Sequence, residues 1–440
     1  MANEIYLSNL VGNFDYQQIL EKFKLYKSQE IFILQDRENA IKQKKSAYKE
    51  YVNLLDNFKD TLDQLLAPSL FSEKSATVSD ETAVSVSITT PEKVSPSNLD
   101  LQVIQLAQND VWLTGSGKVD KDTAMSGLKS GTLSISYKGN SIDISYDNTD
   151  SLQNIVDKIN SEASANNMNI NASVFYDGNN YRLLIKGLDT GSTSGISISD
   201  SNSGTGSLTD ELGGFNNVQS AQDAEISIYG TTVKSETNSF NNVLDGISIE
   251  VKKQTTTPVN ISISNDYKPV KDNLQKLIDT YNQIVSFVKE KSGKDGPLNG
   301  DFTPQSVRSN IFKGLFPLME AGLINVDKDT GHLSIDSKKL DDYLRNDPDT
   351  LKSKINQLNT TLKDYIYFAL DPQGPLKYKE KTFDKQVQNL EKKIEIDTKR
   401  INEEIEILRK QFIAMQMYMA QMEDIKQRIA ATFGLQNQQQ

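Results

Sequence analysis

Few side chains in this 440-residue chain could carry reaction chemistry. Its one histidine, His332, lies in the run DTGHLSID, and cysteine is absent. With no thiolate and a single imidazole, the sequence excludes disulfides and thiol nucleophiles and leaves almost no donors for a zinc site built from the usual ligands. A general base needs a nucleophile within hydrogen-bond reach, and nothing beside His332 supplies one, so this residue reads as part of a tight turn leading into a short strand. Asp327, Asp329 and Gly331 resemble an acidic calcium loop, but its closing bidentate Glu is missing from the register, which makes the cluster a turn. Gly213 with Gly214, and the glycines between 191 and 206, do not stand between a strand and a helix at nucleotide-loop spacing. The chain therefore reads as a non-enzyme, with no catalytic residue, metal site or cofactor. One unusual chemical feature remains, the methionines Met415, Met417, Met419 and Met422. They suit either a coiled-coil core or a helical face that re-packs against several partners.

Those methionines belong to the longest element that the sequence predicts. From Leu376 to Phe433 neither Pro nor Gly interrupts a run of good helix formers. Apolar residues keep a three-four rhythm through Val387, Leu390 and Ile394, then Ile401, Ile405, Leu408, Phe412, Met415, Met419 and Met422, which is a coiled-coil seam. Asp397 falls where the seam should continue, so a stutter is expected there. At about 1.5 Å per residue the helix would reach roughly 85 Å. It must find partners elsewhere in the chain or in other copies.

A second seam occupies the other end. Residues Tyr16 to Leu66 read as a helix whose later half carries Ile41, Tyr48, Tyr51, Leu55, Phe58, Leu62 and Leu65, and Pro68 ends it. The first fifteen residues have no sustained periodicity and are expected to be a flexible segment. A third heptad, Val270, Leu274, Leu277, Tyr281, Ile284 and Val288, fills Lys268 to Lys291. Further helices are expected over Gln305 to Ala321, Ser337 to Arg345 and Pro348 to Leu370.

Between the helical ends the period falls to two. Val84, Val86 and Ile88 alternate with polar residues, as do Leu99, Leu101 and Val103. Hairpins follow at Leu133 to Tyr146 and Ser173 to Ile185, separated by a helix with Leu152, Ile155, Val156 and Ile159 on one face and Ser151 at its start. The run GSTSGISISDSNSGTGS reads as a loop-rich tip. Alternation resumes from Asp223 to Ile263, as strands returning to the earlier sheet. The predicted fold class is thus α+β and multidomain: a helical coiled-coil stalk drawn from both chain ends, with nested antiparallel β domains inserted between them. Its parts are a flexible segment 1–15, a helical domain from 16–70 with 268–440, a β domain from 71–108 with 219–267, and an inserted β-rich head, 109–218.

Charge and hydropathy narrow the partners. A net charge of -11 opposes binding to phosphate backbones, so nucleic acid is not expected. No apolar run approaches the roughly 18 residues of a membrane span, and the opening MANEIYLSNLVGNFDYQQIL lacks the basic and apolar regions of a cleaved secretory signal.

Several stretches in order, NLDLQVIQLAQ, SLQNIVDKIN with NASVFYDGNNYRLLIKG, AQDAEISIYGTTVKSETNSFNNVLDGISIEV, LIDTYNQIVSFV, and GPLNGDF with GLINVDKDTGHLSIDSKKLDDYL, resemble the flagellar hook-associated protein 2 family. The SLQNIVDKIN module also resembles a repeat found in flagellins. This resemblance implies a homo-oligomeric ring capping the distal end of the bacterial flagellar filament, outside the cell, that promotes folding and insertion of exported flagellin. It implies contacts with flagellin and hook-filament junction proteins, and passage through the flagellar export apparatus with an export chaperone engaging the C-terminal helix. By family position, the oligomer and flagellin contacts fall on Tyr48, Leu55, Phe58 and Leu62 of the first helix and Ile405, Leu408, Phe412, Met415, Met419 and Met422 of the last. The same residues would otherwise only hold each monomer's own stalk together. Two other roles fit the same sequence: another axial filament or junction subunit, which would form a helical polymer, and a surface adhesin using the loops from Gly191 to Gly206.

Overall fold

A computed structural model describes residues 16–436. The segment 1–15, expected to be flexible, lies outside the described residues. The chain folds as two compact units, one joining the residues up to Ala67 with those from Val270 onward, the other formed by Pro68–Pro269. Helices occupy both ends of the sequence and antiparallel sheets the middle, the mixed α+β arrangement that the change of period implies.

In the helical unit, the first helix spans Tyr16–Leu65, the central helix Lys268–Lys291 and the last helix Pro375–Gln436. All six heptad residues of the central helix are buried, joined by Ile278, Val285 and Phe287. Pro375 opens the last helix at a position whose N–H would have no partner in any case. Two shorter helices differ from expectation. The stretch Gln305 to Ala321 is broken into Thr303–Gly314 and Phe316–Glu320, since Pro317 has no N–H with which to continue the ladder. Pro348 to Leu370 divides likewise into Pro348–Asn356 and Asp364–Leu370, joined by a π-helical turn at Asn359–Lys363. There the Thr360 and Thr361 hydroxyls both donate to the Gln357 carbonyl at 3.1 Å, competing with the backbone ladder.

Two apolar cores lie in the β unit. Around the first, strand Ser97–Gln105 is flanked by Val259–Asn265 and Ala224–Ile228, so segments more than a hundred residues apart share one five-stranded sheet. A three-stranded sheet, Ser239–Leu244, Ile247–Val251 and Val84–Ile88, closes the same core. Its hairpin turns at Asp245 and Gly246, where Gly246 has φ 81°. A Cβ at this position would stand 2.7 Å from the Thr90 carbonyl oxygen and 2.9 Å from Val94 Cγ2. Gly246→Ala is expected to cost about 2 kcal/mol from strain and overlap together, seen as a lower urea midpoint with unchanged slope.

The second core surrounds helix Leu152–Ala165, whose Leu152, Ile155, Val156 and Ile159 are buried. Ser151 and Asn154 form a reciprocal capping box at its start. A four-stranded sheet in the order Phe215–Gln219, Asn109–Thr114, Tyr181–Thr190, Ile170–Tyr176 and a three-stranded sheet in the order Asn140–Tyr146, Gly131–Tyr137, Ile196–Asp200 complete it. The last of these strands corrects the loop-rich reading of 191–207. Ile196 is buried in the core and pairs with Tyr137, so the short alternation within that Ser-rich run is a strand. Hydrogen bonds tie the two cores: Gln108 and Gln222 exchange backbone bonds of 2.9 and 3.1 Å, and the Asp223 carboxylate accepts from the Ser192 N–H and hydroxyl at 2.6 and 3.0 Å.

Candidate helical interface

Opposite charges fix the register of the first and last helices. Lys27 meets Glu404 at 2.9 Å and Lys42 meets Glu391 at 3.2 Å, Lys45 pairs with Asp384, and Arg400 reaches Glu30 at 4.0 Å. As one number rises the other falls, so the helices run antiparallel. Half-exposed pairs of this kind each contribute at most about 1 kcal/mol, so their main effect is on alignment. Asp397 does stand on the seam, its side chain 14% exposed and held by Arg400 at 3.2 Å. A charge is tolerated there because the neighbouring turn supplies its counter-ion.

The ten residues expected at an interface fall into two groups. Tyr48, Leu55, Phe58 and Leu62 are fully buried within the helical unit. The Tyr48 ring meets Phe383 of the last helix edge-on at 5.3 Å, and its hydroxyl donates to Asp301 Oδ2 at 2.7 Å. One turn on, Tyr51 stacks against Phe287 of the central helix at 5.3 Å and donates to the Pro304 carbonyl at 2.9 Å. Toward the far end of the last helix, burial fades. Ile405, Leu408 and Phe412 are half-buried, whereas Met415, Met419 and Met422 are 40, 39 and 48% exposed. The cause is geometric: continuing the Lys27–Glu404 register places Tyr16 opposite Met415, so later residues lie past the described part of the first helix.

Asp301 was not among the residues that periodicity singles out, yet it joins three segments of this unit. It accepts from Tyr48, from the Thr303 N–H at 3.0 Å and from Lys379 at 3.1 Å. Burial alone would raise its pKa, but the Thr303 N–H, the Tyr48 hydroxyl and Lys379 outweigh burial and hold the carboxyl below its usual value. For a carboxylate so lowered, the stabilisation is complete above the unfolded value near 4 and is lost as pH falls through the folded one. Asp301→Ala should therefore destabilise by about 2 kcal/mol at pH 7, and by much less in strong acid, as read from urea midpoints across a pH series. The hint in the sequence was its place in GPLNGDF.

The exposed set extends beyond the residues expected. Leu25 with Phe32 and Tyr26 with Ile33 on the first helix, and Ile429 and the pair Tyr418 with Ile425 on the last, were not anticipated; with the expected Met415 and Met422 they are exposed and spaced by seven. Apolar residues left in solvent at heptad spacing are positioned to meet further helices. Among the described residues, those weighed for reaction chemistry sit in turns. The Asp327 carboxylate accepts from the N–H groups of Asp329 and Thr330 at 2.8 and 3.2 Å, closing the turn between Ile324–Val326 and Leu333–Ile335, and His332 Nε2 lies 3.1 Å from the Ser286 hydroxyl. Among the described residues no three His, Cys, Asp or Glu side chains group as metal ligands, and no helix is long and apolar enough to cross a membrane.

Comparison with known proteins agrees with these elements. Family models described as "Flagellar hook-associated protein 2 N-terminus" and "Flagellar hook-associated protein 2 C-terminus" match residues 12–110 and 221–424. The chain is 29% identical over 374 residues to a flagellar hook-associated protein 2 of Aquifex aeolicus, covering 82% of each. It is 25% identical over 414 residues to an A-type flagellar hook-associated protein 2 of Pseudomonas aeruginosa, covering 86% of each. Its fold matches the crystal structure of the D1-D2-D3 domains of the flagellar cap protein FliD from Escherichia coli with a TM-score of 0.57 at 21% identity, over 77% of this chain and 99% of that one. The chain belongs to the flagellar hook-associated protein 2 family.

Proposed function

We propose that this protein is a cap at the distal end of the bacterial flagellar filament, working outside the cell as a closed ring of identical subunits. In this reading it promotes folding and insertion of flagellin as each subunit arrives. The helical unit acts as a leg, the β domain of 71–108 with 219–267 and the head 109–218 form a plate, and hook-filament junction proteins adjoin the ring before filament growth. Export would proceed through the flagellar apparatus, with a chaperone on the last helix.

The observation that carries this reading is the heptad-spaced apolar set exposed on both terminal helices, because a monomer that left it in water would gain by associating. The buried group Tyr48, Leu55, Phe58 and Leu62 acts in it by holding the leg rigid, and Ile405 to Met422 by meeting neighbours. Such contacts can be made and broken stepwise if ring positions differ modestly in contact energy.

The test is light scattering across a concentration series on the full chain, on a chain ending at Ile394, and on a Met415→Lys, Met422→Lys double variant that keeps the helix formers. The full chain should form one discrete closed oligomer, and both variants should give smaller species. Open-ended growth would instead indicate a filament subunit. Oligomers unchanged in the double variant would remove the terminal seam from the interface.

A further inference from the structure

The first and last helices enclose a trough of about 430 Å³ beside their seam. Ala40, Ile41 and Leu390 form its apolar floor, with Arg37 and Lys44 along one edge and Gln386 and Asn389 along the other. Steps of four and seven residues return a helix to the same face, so Ile33 and Ile396 prolong the floor and Lys393 joins the rim. Ile33 and Ile396 are 54 and 65% exposed. The rim is basic and its charge is unanswered. Among the described residues neither Arg37, Lys44 nor Lys393 has an acidic partner, whereas their neighbours Lys42 and Lys45 pair with Glu391 and Asp384 across the seam.

A second surface of the first helix has the opposite character. Glu21, Leu25, Gln29, Phe32 and Asp36 follow one another at steps of three and four, which makes them a single ridge roughly opposite the buried Ile31 and Leu34. All of them are exposed, and the only charges on the ridge are acidic. Neither carboxylate has a basic partner among the described residues. Ridge and trough match in spacing as well as in charge: Leu25 and Phe32 stand seven residues apart, as do Ile33 and Ala40 on the trough floor.

We propose that the ridge of one subunit seats in the trough of the next, with Leu25 over Ile33 and Ile396, Phe32 over Ile41 and Leu390, and Asp36 beside Lys44. This contact rests on the ring reading and supplies its subunit interface. The occupant is a second copy because ridge and trough lie on different faces of one helix, so no chain can close them on itself. Ridges seated in grooves are the ordinary way in which helices pack. Gln29 then falls level with Arg37 and Lys393, where its side-chain oxygen accepts. Two unlike faces make the contact heterologous, and such a contact repeated by rotation closes a ring. Rotation leaves equivalent helices pointing the same way along the ring axis, the direction this register requires. Burial of the apolar residues supplies the affinity, and the exposed charges set the alignment.

Because the chain has no cysteine, Phe32→Cys and Ala40→Cys can each be introduced alone. Under mild oxidation a mixture of the two full-length variants should give disulfide-linked dimers of one with the other, while each variant alone should stay largely uncrosslinked. In light scattering, Asp36→Lys and Lys44→Glu should each raise the concentration of half-assembly about tenfold, and the two together should return it to near the wild-type value. Circular dichroism at the wild-type helix content would show that each variant is folded. Cross-linking of either variant alone to the level of the mixture would mean that like faces meet, and would overturn the proposal. So would assembly that neither charge reversal weakens, or a double variant weaker than both singles. Wild-type protein that stays monomeric at every concentration would remove the ring reading and this contact with it. Oligomers insensitive to both charge reversals but lost in the Met415→Lys, Met422→Lys variant would keep the ring and remove this contact alone.

Discussion

Phe58→Ala should lower the stability of the helical unit by about 4 kcal/mol. Phe58 is fully buried on the face of the first helix that also carries Leu55, Leu62 and Leu65, all of them enclosed. Alanine removes the ring's transfer free energy and leaves a cavity that packed neighbours on several helices fill only in part. In calorimetry, the transition of the helical unit should fall by about 10 °C, while that of the β unit, with its own two cores, should not move. Lys49→Ala, on an exposed turn of the same helix, should change either by less than about 0.5 kcal/mol. The comparison also decides what the buried seam does. A variant that lost oligomers while the helical unit melted as before would make Phe58 an intermolecular contact; the expected result makes it a support of the monomer.

In the head, Asp110→Ala should be about as damaging, on the order of 4 kcal/mol. Its carboxylate, 3% exposed, accepts from the Ile196 N–H at 2.6 Å, the Trp112 indole at 3.0 Å and the Asn217 amide at 2.5 Å. Three strands from two sheets thus converge on one side chain. Alanine would leave the buried Ile196 N–H without an acceptor, at about 1 to 3 kcal/mol, and remove the partly exposed bonds from the Trp112 indole and the Asn217 amide, at about 1 kcal/mol each. Asparagine should rescue little, because its amide nitrogen would face a donor. Urea unfolding followed by tryptophan emission measures the effect at its source, since Trp112 is one of the three partners. A shift below about 1 kcal/mol would mean that the donors find other acceptors and that the carboxylate is not their anchor.

Much of the architecture was legible because period and capping are local signals. The heptads of Tyr48 to Leu65 and Val270 to Val288, the alternation at Leu99 to Val103 and the Ser151 cap each follow from a few neighbouring residues. Strands Lys74–Val78, Phe215–Gln219 and Thr231–Ser235 were not legible. All three lie at sheet edges, where a strand such as FNNVQ needs no buried alternation and exists because a partner far along the chain offers hydrogen bonds. Of the candidate interface, periodicity identified the apolar face but not what covers it. Tyr48 and Met415 look alike in a heptad; only the register of Lys27 with Glu404 separates the enclosed part of the seam from the exposed part. Asp301 escaped for a related reason, since its partners Tyr48 and Lys379 lie far away in sequence on either side.

The helical unit is assembled from residues that all of Pro68–Pro269 separates in the chain, whereas the β hairpins close across two to four residues. Contacts between distant segments form late, after the loop between them has been gathered in. For a polypeptide that emerges one residue at a time, the first helix therefore keeps its apolar stripe bare until the central helix, and then the last, have followed it. Enclosure of that stripe is then a late event of folding, although the stripe itself is among the first parts made.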